Sequence, residues 1–361
     1  AALLALSPYA IWHSQDARMY SMSLALTLAS TLLMCEALAR RRAVWWAGYV
    51  AASLLALHTH YYAAYVILAQ NLFIFGRALA TPAARRDLRP WLAAQVSTGL
   101  LYLPWLIAAR AALTGYVGNG DSPGFAAMWV RGLSVFAAGE SVPGEQRPLL
   151  AVLATALVII GIVRLALAGP GGRRSAWLLS LYLFVPLLTT WLGALSRPIF
   201  NERYLVAALP GFCLLAAAAV GFKRPTVAQD GILRYARVIA FVLLAGLMAL
   251  GLLSLARHYD DPMYTKTRGW RTLAAVLARH SLPYAPEKVR VAQTYPDPTL
   301  WYYYTGPADH LVLPPAAHNA TGADAEVARL VELGVERVVV AVQSTAAWDE
   351  RDIAPTALAK R

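Results

Sequence analysis

Residues 21–42 read SMSLALTLASTLLMCEALARRR, an apolar run that ends in three consecutive arginines. The hydrocarbon core of a bilayer is about 30 Å thick, so a helix of about 20 apolar residues crosses it. Arginine and lysine concentrate in short loops on the cytoplasmic side of a membrane. The segment therefore predicts a membrane-spanning helix over residues 19–39, with residues 40–42 on the cytoplasmic side.

Similar apolar runs recur along the first two thirds of the chain. Hydrophobic residues make up 58% of the 361 positions, charged residues make up 14%, and the mean hydropathy is +0.49. This composition excludes an ordinary soluble domain. The eight runs that could span a bilayer cover residues 19–39, 44–57, 60–79, 91–109, 148–168, 176–195, 204–222 and 238–256. The predicted fold class is a polytopic α-helical membrane protein.

The formal net charge of +12 comes largely from arginines and lysines that follow every second span. These basic segments cover residues 40–42, 80–90, 169–175 and 223–237. When the spans alternate in direction, all four segments fall on one side, which the positive-inside rule identifies as cytoplasmic. Residues 110–147 and 257–361 are then extracytoplasmic. Because topology explains the charge, we expect the lipid bilayer and no nucleic acid as a partner.

The pattern changes after residue 256, which predicts two domains: a transmembrane domain over 1–256 and a small extracytoplasmic α/β domain over 257–361. In the second domain, helical patterns alternate with apolar strand patterns, which favours a small parallel sheet. The helical patterns cover residues 269–280, 297–304 and 322–334, and the strand patterns cover residues 288–293, 310–314 and 336–343. No glycine-rich nucleotide-binding motif accompanies them.

The two cysteines, Cys35 and Cys213, both lie within apolar runs. This placement excludes a disulfide framework and a CxxC metal site, and neither a metal nor another cofactor is predicted. The chain starts with AALLAL, without an initiator methionine, a basic segment or a small-residue cleavage pattern. We expect residues 1–12 to be the end of a truncated span rather than a signal peptide.

A first polar cluster lies at residues 14–20, SQDARMY, between two apolar runs. An ionised side chain at membrane depth costs several kcal/mol unless it faces a cavity or a partner. On a helix, Asp16 and Tyr20 would share a face and Arg18 would point about 160° away. Two interpretations stay open: an interfacial anchor in which Arg18 snorkels, and part of a polar site.

A second polar cluster, RPIFNERY, covers residues 197–204 and opens a span from the same predicted side. Glu202, Arg203 and Tyr204 repeat the combination of acid, arginine and tyrosine found in the first cluster. A salt bridge that stabilises a loop is one explanation. A guanidinium also offers a planar fork of donors for phosphate oxygens. The two clusters together predict an extracytoplasmic cavity that receives a lipid-linked phosphate.

His58 and His60 lie on the same predicted side, in the stretch LHTHYYAAY. Two such residues could hold a metal or relay a proton. This spacing on a helix points the rings apart, so we favour packing or headgroup contact, and we include His60 among the candidate substrate-binding residues. The glycine-rich segment 110–147 could be an active-site lid or a plain connection.

Four stretches of the chain resemble a known family: LSPYAIWHSQDARMYSMSLALTLAS (6–30), LLALHTHYYAAYVILAQNL (54–72), NERYLVAALPGFCLLAA (201–217) and the segment from RGWRTLAAVLARH to VRVAQTYPDPTLWYYYTG (268–306). They resemble the bacterial family 39 glycosyltransferases, membrane enzymes of the GT-C type that are similar to protein O-mannosyltransferases and to aminoarabinose transferases. The resemblance implies a GT-C-like fold in the bacterial inner membrane. It also implies transfer of a sugar, usually with inversion, from a polyprenyl-phosphate donor to an extracytoplasmic lipid, glycan or protein.

The resemblance also implies roles for individual residues. Arg18 and Arg203 would contact the carrier phosphate, with Tyr20 and Tyr204 completing their motifs. Asp16, which stands where glutamate is more usual, would orient Arg18 or the acceptor. An inverting transferase needs a carboxylate base, which in this family lies in the first extracytoplasmic loop, so we expect it upstream of residue 1.

Two functions of other classes remain open at the level of the sequence. A transporter or flippase of lipid-linked sugars would bind phosphate through the same arginines without transferase chemistry. A structural protein could use the C-terminal domain to bind cell-wall glycan.

Overall fold

The structure is a computed structural model that describes residues 2–16, 18–116, 118, 120–221, 230–261, 264, 269–342, 348–349 and 352–360. The chain forms two compact units, Ala1–Tyr264 and Thr265–Arg361.

The first unit is helical, because in lipid a helix satisfies its own backbone hydrogen bonds. Its helices are α1 (Ala2–Ala5), α2 (Pro8–Ser14), α3 (Tyr20–Arg40), α4 (Ala43–Thr59), α5 (Ala63–Ala80), α6 (Leu88–Ala108), α7 (Arg110–Gly115), α8 (Phe125–Ala138), α9 (Arg147–Leu167), α10 (Gly169–Ala194), α11 (Leu209–Val220) and α12 (Asp230–Asp260). In the described residues of this unit, short 3-10 helices cover Pro82–Asp87, Gly144–Gln146 and Glu202–Ala208. The predicted domain boundary after residue 256 falls inside α12.

Seven helical segments of the described chain are long and apolar enough to cross a membrane. This architecture is that of a multi-pass helical protein, as the apolar runs predict. The remaining predicted span, 44–57, corresponds to α4, whose 17 residues lie at the lower limit for crossing a bilayer. The predicted span 204–222 begins as the 3-10 helix Glu202–Ala208 before it continues as α11.

The segment 110–147 differs from the long loop that its glycines suggest. It contains α7 and the 14-residue helix α8. Helix α8 buries Met128, Leu133 and Phe136 against the core of the unit and presents Arg131 on a less buried face. Its apolar run is too short to predict a membrane span, so the sequence alone does not indicate this helix.

A network of buried polar side chains joins α3, α4, α5 and α6. Gln70 is fully buried, and its Nε2 donates to Ser30 Oγ at 2.7 Å and to Thr31 Oγ1 at 2.8 Å. The Tyr49 hydroxyl donates to Gln70 Oε1 at 3.1 Å and accepts from Gln95 Nε2 at 2.9 Å. Such interhelical hydrogen bonds fix the rotation of helices that are apolar on most of their surface.

Close backbone approach fixes α9 against α11. A Cβ atom added at Gly161 in α9 would collide with the backbone carbonyl oxygen of Leu215 in α11. Small residues at helix interfaces permit such approach in membranes. The packing supports α11 and the 3-10 helix that precedes it, which carries part of the polar cluster described below.

The second unit is a three-stranded parallel sheet with helices on both faces. Strands β1 (Val289–Gln293), β2 (Asp309–Val312) and β3 (Arg337–Ala341) pair in the order β2-β1-β3. The helices are α13 (Trp270–Ser281), α14 (Pro298–Tyr303), α15 (Ala320–Glu332) and α16 (Ile353–Ala359).

Successive side chains of β1 point to opposite faces of the sheet, and each face packs against different helices. Val289 and Val291 pack with Leu277 of α13, whereas Ala292 packs with Val327 of α15. The structure confirms the parallel sheet that the alternating pattern predicts. The structure also contains α16, which the sequence pattern did not indicate. Position 343 of the third predicted strand lies outside the described residues.

Three of the four basic segments meet at one end of the first unit. Arginines from residues 40–42, 80–90 and 169–175 line a single cavity there, together with Arg77 at the end of α5. Residues 223–229 of the fourth segment, 223–237, lie outside the described chain. Helices α3 and α5 end at this cavity and begin at the opposite end, where the predicted polar clusters lie.

Candidate functional site

The polar clusters predicted from the sequence come together where α3 and α5 begin. Residues 13–20, 60–62 and 201–204 meet there, joined by α8 and the segment that follows it. The contacts are direct: the ring centroid of Tyr20 lies 5.3 Å from that of His13 and 6.0 Å from that of His60. We call this group the tyrosine-arginine cluster and define it by Tyr20, His60, Tyr62, Arg203 and Tyr204.

Aromatic rings form the body of the tyrosine-arginine cluster. Tyr62 and Tyr204 stack with ring centroids 4.6 Å apart, and His60 lies 5.6 Å from Tyr204. Arg203 is half-buried, with its guanidinium carbon 5.1 Å from the centroid of the Tyr204 ring. Its Nη2 donates to the Tyr204 hydroxyl at 3.3 Å. A guanidinium and several phenol groups are therefore concentrated at one point.

The backbone that carries Arg203 is fixed by a local cap. Asn201 has an extended backbone, and its Oδ1 accepts a hydrogen bond from the Arg203 N–H at 3.2 Å. Such a cap satisfies an amide that the first turn of a helix leaves without a partner. The sequence Asn-Glu-Arg-Tyr thus starts the 3-10 helix and sets the direction in which Arg203 and Tyr204 leave it.

Glu202 is held by Arg131 of α8. Arg131 Nε donates to Glu202 Oε1 at 2.6 Å, and Nη2 donates to Oε2 at 2.9 Å. Nη1 of the same guanidinium donates a hydrogen bond to Asp121 Oδ2 at 2.5 Å. The hydroxyl of Tyr9 donates to the backbone carbonyl of Glu202. Glu202 therefore anchors the 3-10 helix to α8 and to α2, a role that the loop-stabilising explanation anticipates.

His13 lies between two carboxylates. Its Nδ1 is 3.3 Å from Asp16 Oδ2, and its Nε2 is 3.2 Å from Glu140 Oε1. Burial lowers the pKa of His13, but the hydrogen bond to Asp16 and the negative charges of Asp16 and Glu140 outweigh it, so that this pKa is raised above its usual value. The ring is held as an imidazolium over a wider pH range than a free histidine.

His60 has the opposite environment. Burial, and then the positive charge of Arg203, lower the pKa of His60 to about 4. Its Nδ1 accepts a hydrogen bond from the backbone N–H of Tyr62 at 3.2 Å. The neutral ring therefore carries its own proton on Nε2. Burial, followed by the neighbouring tyrosines Tyr61 and Tyr65, raises the pKa of Tyr62, so this phenol also stays a donor.

Asp16 and Arg18 do not lie on a helix as their spacing suggests. Helix α2 ends at Ser14 and α3 begins at Tyr20, and the described residues between them form turns and bends. Arg18 is exposed, and its guanidinium lies near the Tyr20 hydroxyl. Asp16 turns toward His13. The break between the helices thus separates the two charged side chains.

His58 and His60 have different neighbours. His58 packs its ring against Tyr102 and Trp105, with centroid distances of 5.1 and 6.0 Å, while His60 joins the tyrosine-arginine cluster. Among the residues that the structure describes, no group of three or more His, Cys, Asp or Glu side chains could hold a metal ion.

Sequence reasoning missed several residues that shape this site. His13 stands three residues before Asp16, a spacing that could have suggested the pair. Arg131 and Glu140 stayed unassigned because their partners are distant in the chain: Arg131 and Glu202 are 71 residues apart. Nothing local to α8 indicates which acid its arginine meets.

Comparison with known proteins adds no further information, since no protein-family model, curated protein or solved structure matches the chain at a significant level. The geometry of the site and the resemblance of its motifs carry the functional interpretation.

Proposed function

We propose that this protein is a glycosyltransferase of the GT-C type, which transfers a sugar from a polyprenyl-phosphate donor to a lipid, glycan or protein acceptor. In this proposal the tyrosine-arginine cluster and the second unit lie on the extracytoplasmic side of a bacterial inner membrane. The gathering of three basic segments at the other ends of α3 and α5 supports this orientation, because such segments stay in the cytoplasm.

The observation that carries the proposal is the half-buried position of Arg203 among tyrosines and a neutral histidine, at the end of the helical unit where α3 and α5 begin. Departure of a phosphate from the sugar develops negative charge on the phosphate oxygens. Guanidinium and phenol donors stabilise such charge, and more strongly where water is scarce. The planar fork of an arginine matches two phosphate oxygens at once.

The remaining residues have supporting roles in this proposal. Arg18, in the turn that precedes α3, and Tyr20, at the start of α3, reach the same phosphate. Tyr204 and His60 complete the set of donors. Glu202 positions Arg203 through its pair with Arg131. Asp16 is held by His13 and borders the acceptor side. No described residue is assigned as the general base.

A binding measurement with the polyprenyl-phosphate carrier tests the proposal, because binding does not require the catalytic general base. Undecaprenyl monophosphate is titrated into the purified 361-residue protein in detergent, and bound lipid is counted by native mass spectrometry. We expect Arg203→Lys to weaken binding by at least about tenfold, because a single ammonium cannot replace the fork. Arg197→Lys is the matched control, since Arg197 is exposed at the same end and its side chain donates hydrogen bonds to the backbone carbonyls of Leu113 and Tyr116.

Two further outcomes decide between the candidate functions. Equal binding of undecaprenol, which lacks the phosphate, would remove the cluster from the proposed site. Supplying a labelled polyprenyl-phosphate sugar to membranes that contain the protein separates chemistry from transport. The proposal expects label on a new acceptor, whereas movement of the intact lipid to the other leaflet would indicate a flippase.

A further inference from the structure

The basic end of the first unit contains a cavity that the proposed transferase reaction does not use. Its volume is about 510 Å³, within the range of small-molecule sites. It lies among the end of α3, the end of α5, the 3-10 helix Pro82–Asp87 and the start of α10. The charged residues that line it are Arg41, Arg77, Arg86, Asp87, Arg173 and Arg174.

The charge of this cavity is strongly positive. Five arginines and one aspartate give the lining a formal net charge of +4. Asp87 is buried and lies 3.4 Å from Arg77 Nη2 and 3.9 Å from Arg41 Nε. Its carboxylate therefore holds two of the arginines in place. Arg86, Arg173 and Arg174 are exposed and form no ion pair with any acid in the described part of the chain.

Helix α10 adds to the positive potential. Its first turn lines the cavity through Pro170 and Arg173, and Ala168 at its N-cap position offers no side-chain acceptor to the first amides. The amino end of a helix carries a partial positive charge and attracts anions. Trp177 of the same helix also lines the cavity and is 47% exposed, as tryptophans at membrane interfaces often are.

An apolar cleft adjoins the basic cavity. Its volume is about 600 Å³, and it shares Arg41, Arg86 and Asp87 with the cavity. The rest of its lining comes mainly from α4 and α6 and includes Ala47, Trp46, Val50 and Ala93. An anion bound at the shared arginines would therefore have a hydrophobic channel beside it.

We propose that this pair of cavities binds one anionic membrane phospholipid, with its phosphate among the arginines and an acyl chain in the apolar cleft. A soluble phosphate compound would use the arginines but would gain nothing from the cleft. Basic pockets at the cytoplasmic ends of membrane helices are suited to acidic headgroups. The site is separate from the tyrosine-arginine cluster and does not depend on the transferase proposal.

Native mass spectrometry of the purified 361-residue protein in detergent tests this site. Dioleoylphosphatidylglycerol is the probe, dioleoylphosphatidylcholine is the zwitterionic comparison, and glycerol phosphate is the soluble comparison. We expect the double substitution Arg86→Gln with Arg173→Gln to weaken binding of the anionic lipid by at least about tenfold. Arg42→Gln with Arg89→Gln removes the same charge at the same end without touching either cavity, and it should change binding by less than about threefold.

A second pair of substitutions separates a lipid from a soluble anion. Ala47→Phe and Ala93→Phe fill the cleft and keep every arginine. We expect this variant to bind the anionic lipid at least about tenfold more weakly while its response to glycerol phosphate is unchanged. The thermal midpoint of each variant without lipid checks that it folds.

Two results would overturn the proposal. Equal losses in the cavity and control variants would show a diffuse electrostatic attraction to the basic end. Glycerol phosphate binding as tightly as the lipid, with no effect of filling the cleft, would show a site for a soluble anion.

Discussion

Both carboxylate oxygens of Glu202 are held by the guanidinium of Arg131, at 2.6 and 2.9 Å. The pair joins α8 to the segment that carries Arg203. Because the two side chains are 24% and 16% exposed, solvent screens their attraction only in part. The geometry of the tyrosine-arginine cluster therefore depends on a pair that does not itself belong to that cluster.

This relationship predicts strong coupling between the two residues. In a double-mutant cycle of Arg131→Gln and Glu202→Gln, the coupling in the free energy of unfolding should be about 1–3 kcal/mol. The exposed pair of Arg40 and Glu36 within α3 is the control and should couple by less than about 0.5 kcal/mol. Unfolding in mixed micelles measures both cycles, and additive effects at Arg131 and Glu202 would show that the pair does not hold the segment.

His13 and His60 should make stability depend on pH in opposite directions. The raised pKa of His13 means that its contribution is fully present below its ordinary pKa of about 6.5 and is lost as pH rises through the raised value. The pKa of His60 is lowered to about 4, so its contribution is present above about 6.5 and is lost as pH falls toward about 4.

Thermal midpoints of single variants, measured as a function of pH, check the direction of each effect. His13→Gln should cost more stability at about pH 5 than at about pH 8. His60→Gln should remove part of the acid sensitivity of the wild type, up to about 3 kcal/mol in the free energy of unfolding. Parallel pH profiles for the two variants would contradict these environments.

Close packing between α9 and α11 predicts a large effect of a single methyl group. Gly161→Ala should lower the free energy of unfolding by about 1–3 kcal/mol, because the backbone of Leu215 occupies the space that the new Cβ needs. Gly246→Ala in α12 is the control: nothing lies within 4 Å of a Cβ there. It should be neutral or stabilise by up to about 1 kcal/mol, and similar losses at both positions would refute the tight contact.

The proposed orientation places the second unit outside the cytoplasm. In a variant that lacks Cys35 and Cys213, a cysteine at Ala325 should react in intact cells with a reagent that cannot cross the membrane. A cysteine at Ala83, which is exposed at the basic end, should react only after the membrane is broken. Reversed labelling of the two positions would show that the topology is opposite to the proposed one.

Local signals in the sequence predicted most of the architecture. Apolar runs and the charges between them are properties of neighbouring residues, so the spans near α3, α5 and α9 could be located within a few residues, whereas α10 begins seven residues before its predicted span. Short apolar stretches between helical patterns likewise indicated the three strands. Helix α8 was missed because an apolar helix of 14 residues is too short to resemble a span.

The candidate site was less predictable because its contacts join distant segments. The motifs at Arg18 and Arg203 placed both residues at one end of the unit, but they did not indicate the surroundings of either side chain. The break between α2 and α3 turns Asp16 toward His13, and Arg131 takes up the charge of Glu202. Such partners depend on how helices pack, which no single stretch of sequence specifies.

The central claim is that the tyrosine-arginine cluster binds the phosphate of a polyprenyl carrier. A polyprenyl phosphate that carries a diazirine next to the phosphate can be photo-crosslinked to the purified protein, and the labelled peptides can be identified by mass spectrometry. The claim predicts crosslinks within residues 13–20, 60–62 and 201–204, which Arg203→Lys reduces. Labelling confined to the basic cavity at Arg41, Arg86 and Arg173, or equal labelling by a diazirine polyprenol without phosphate, would contradict it.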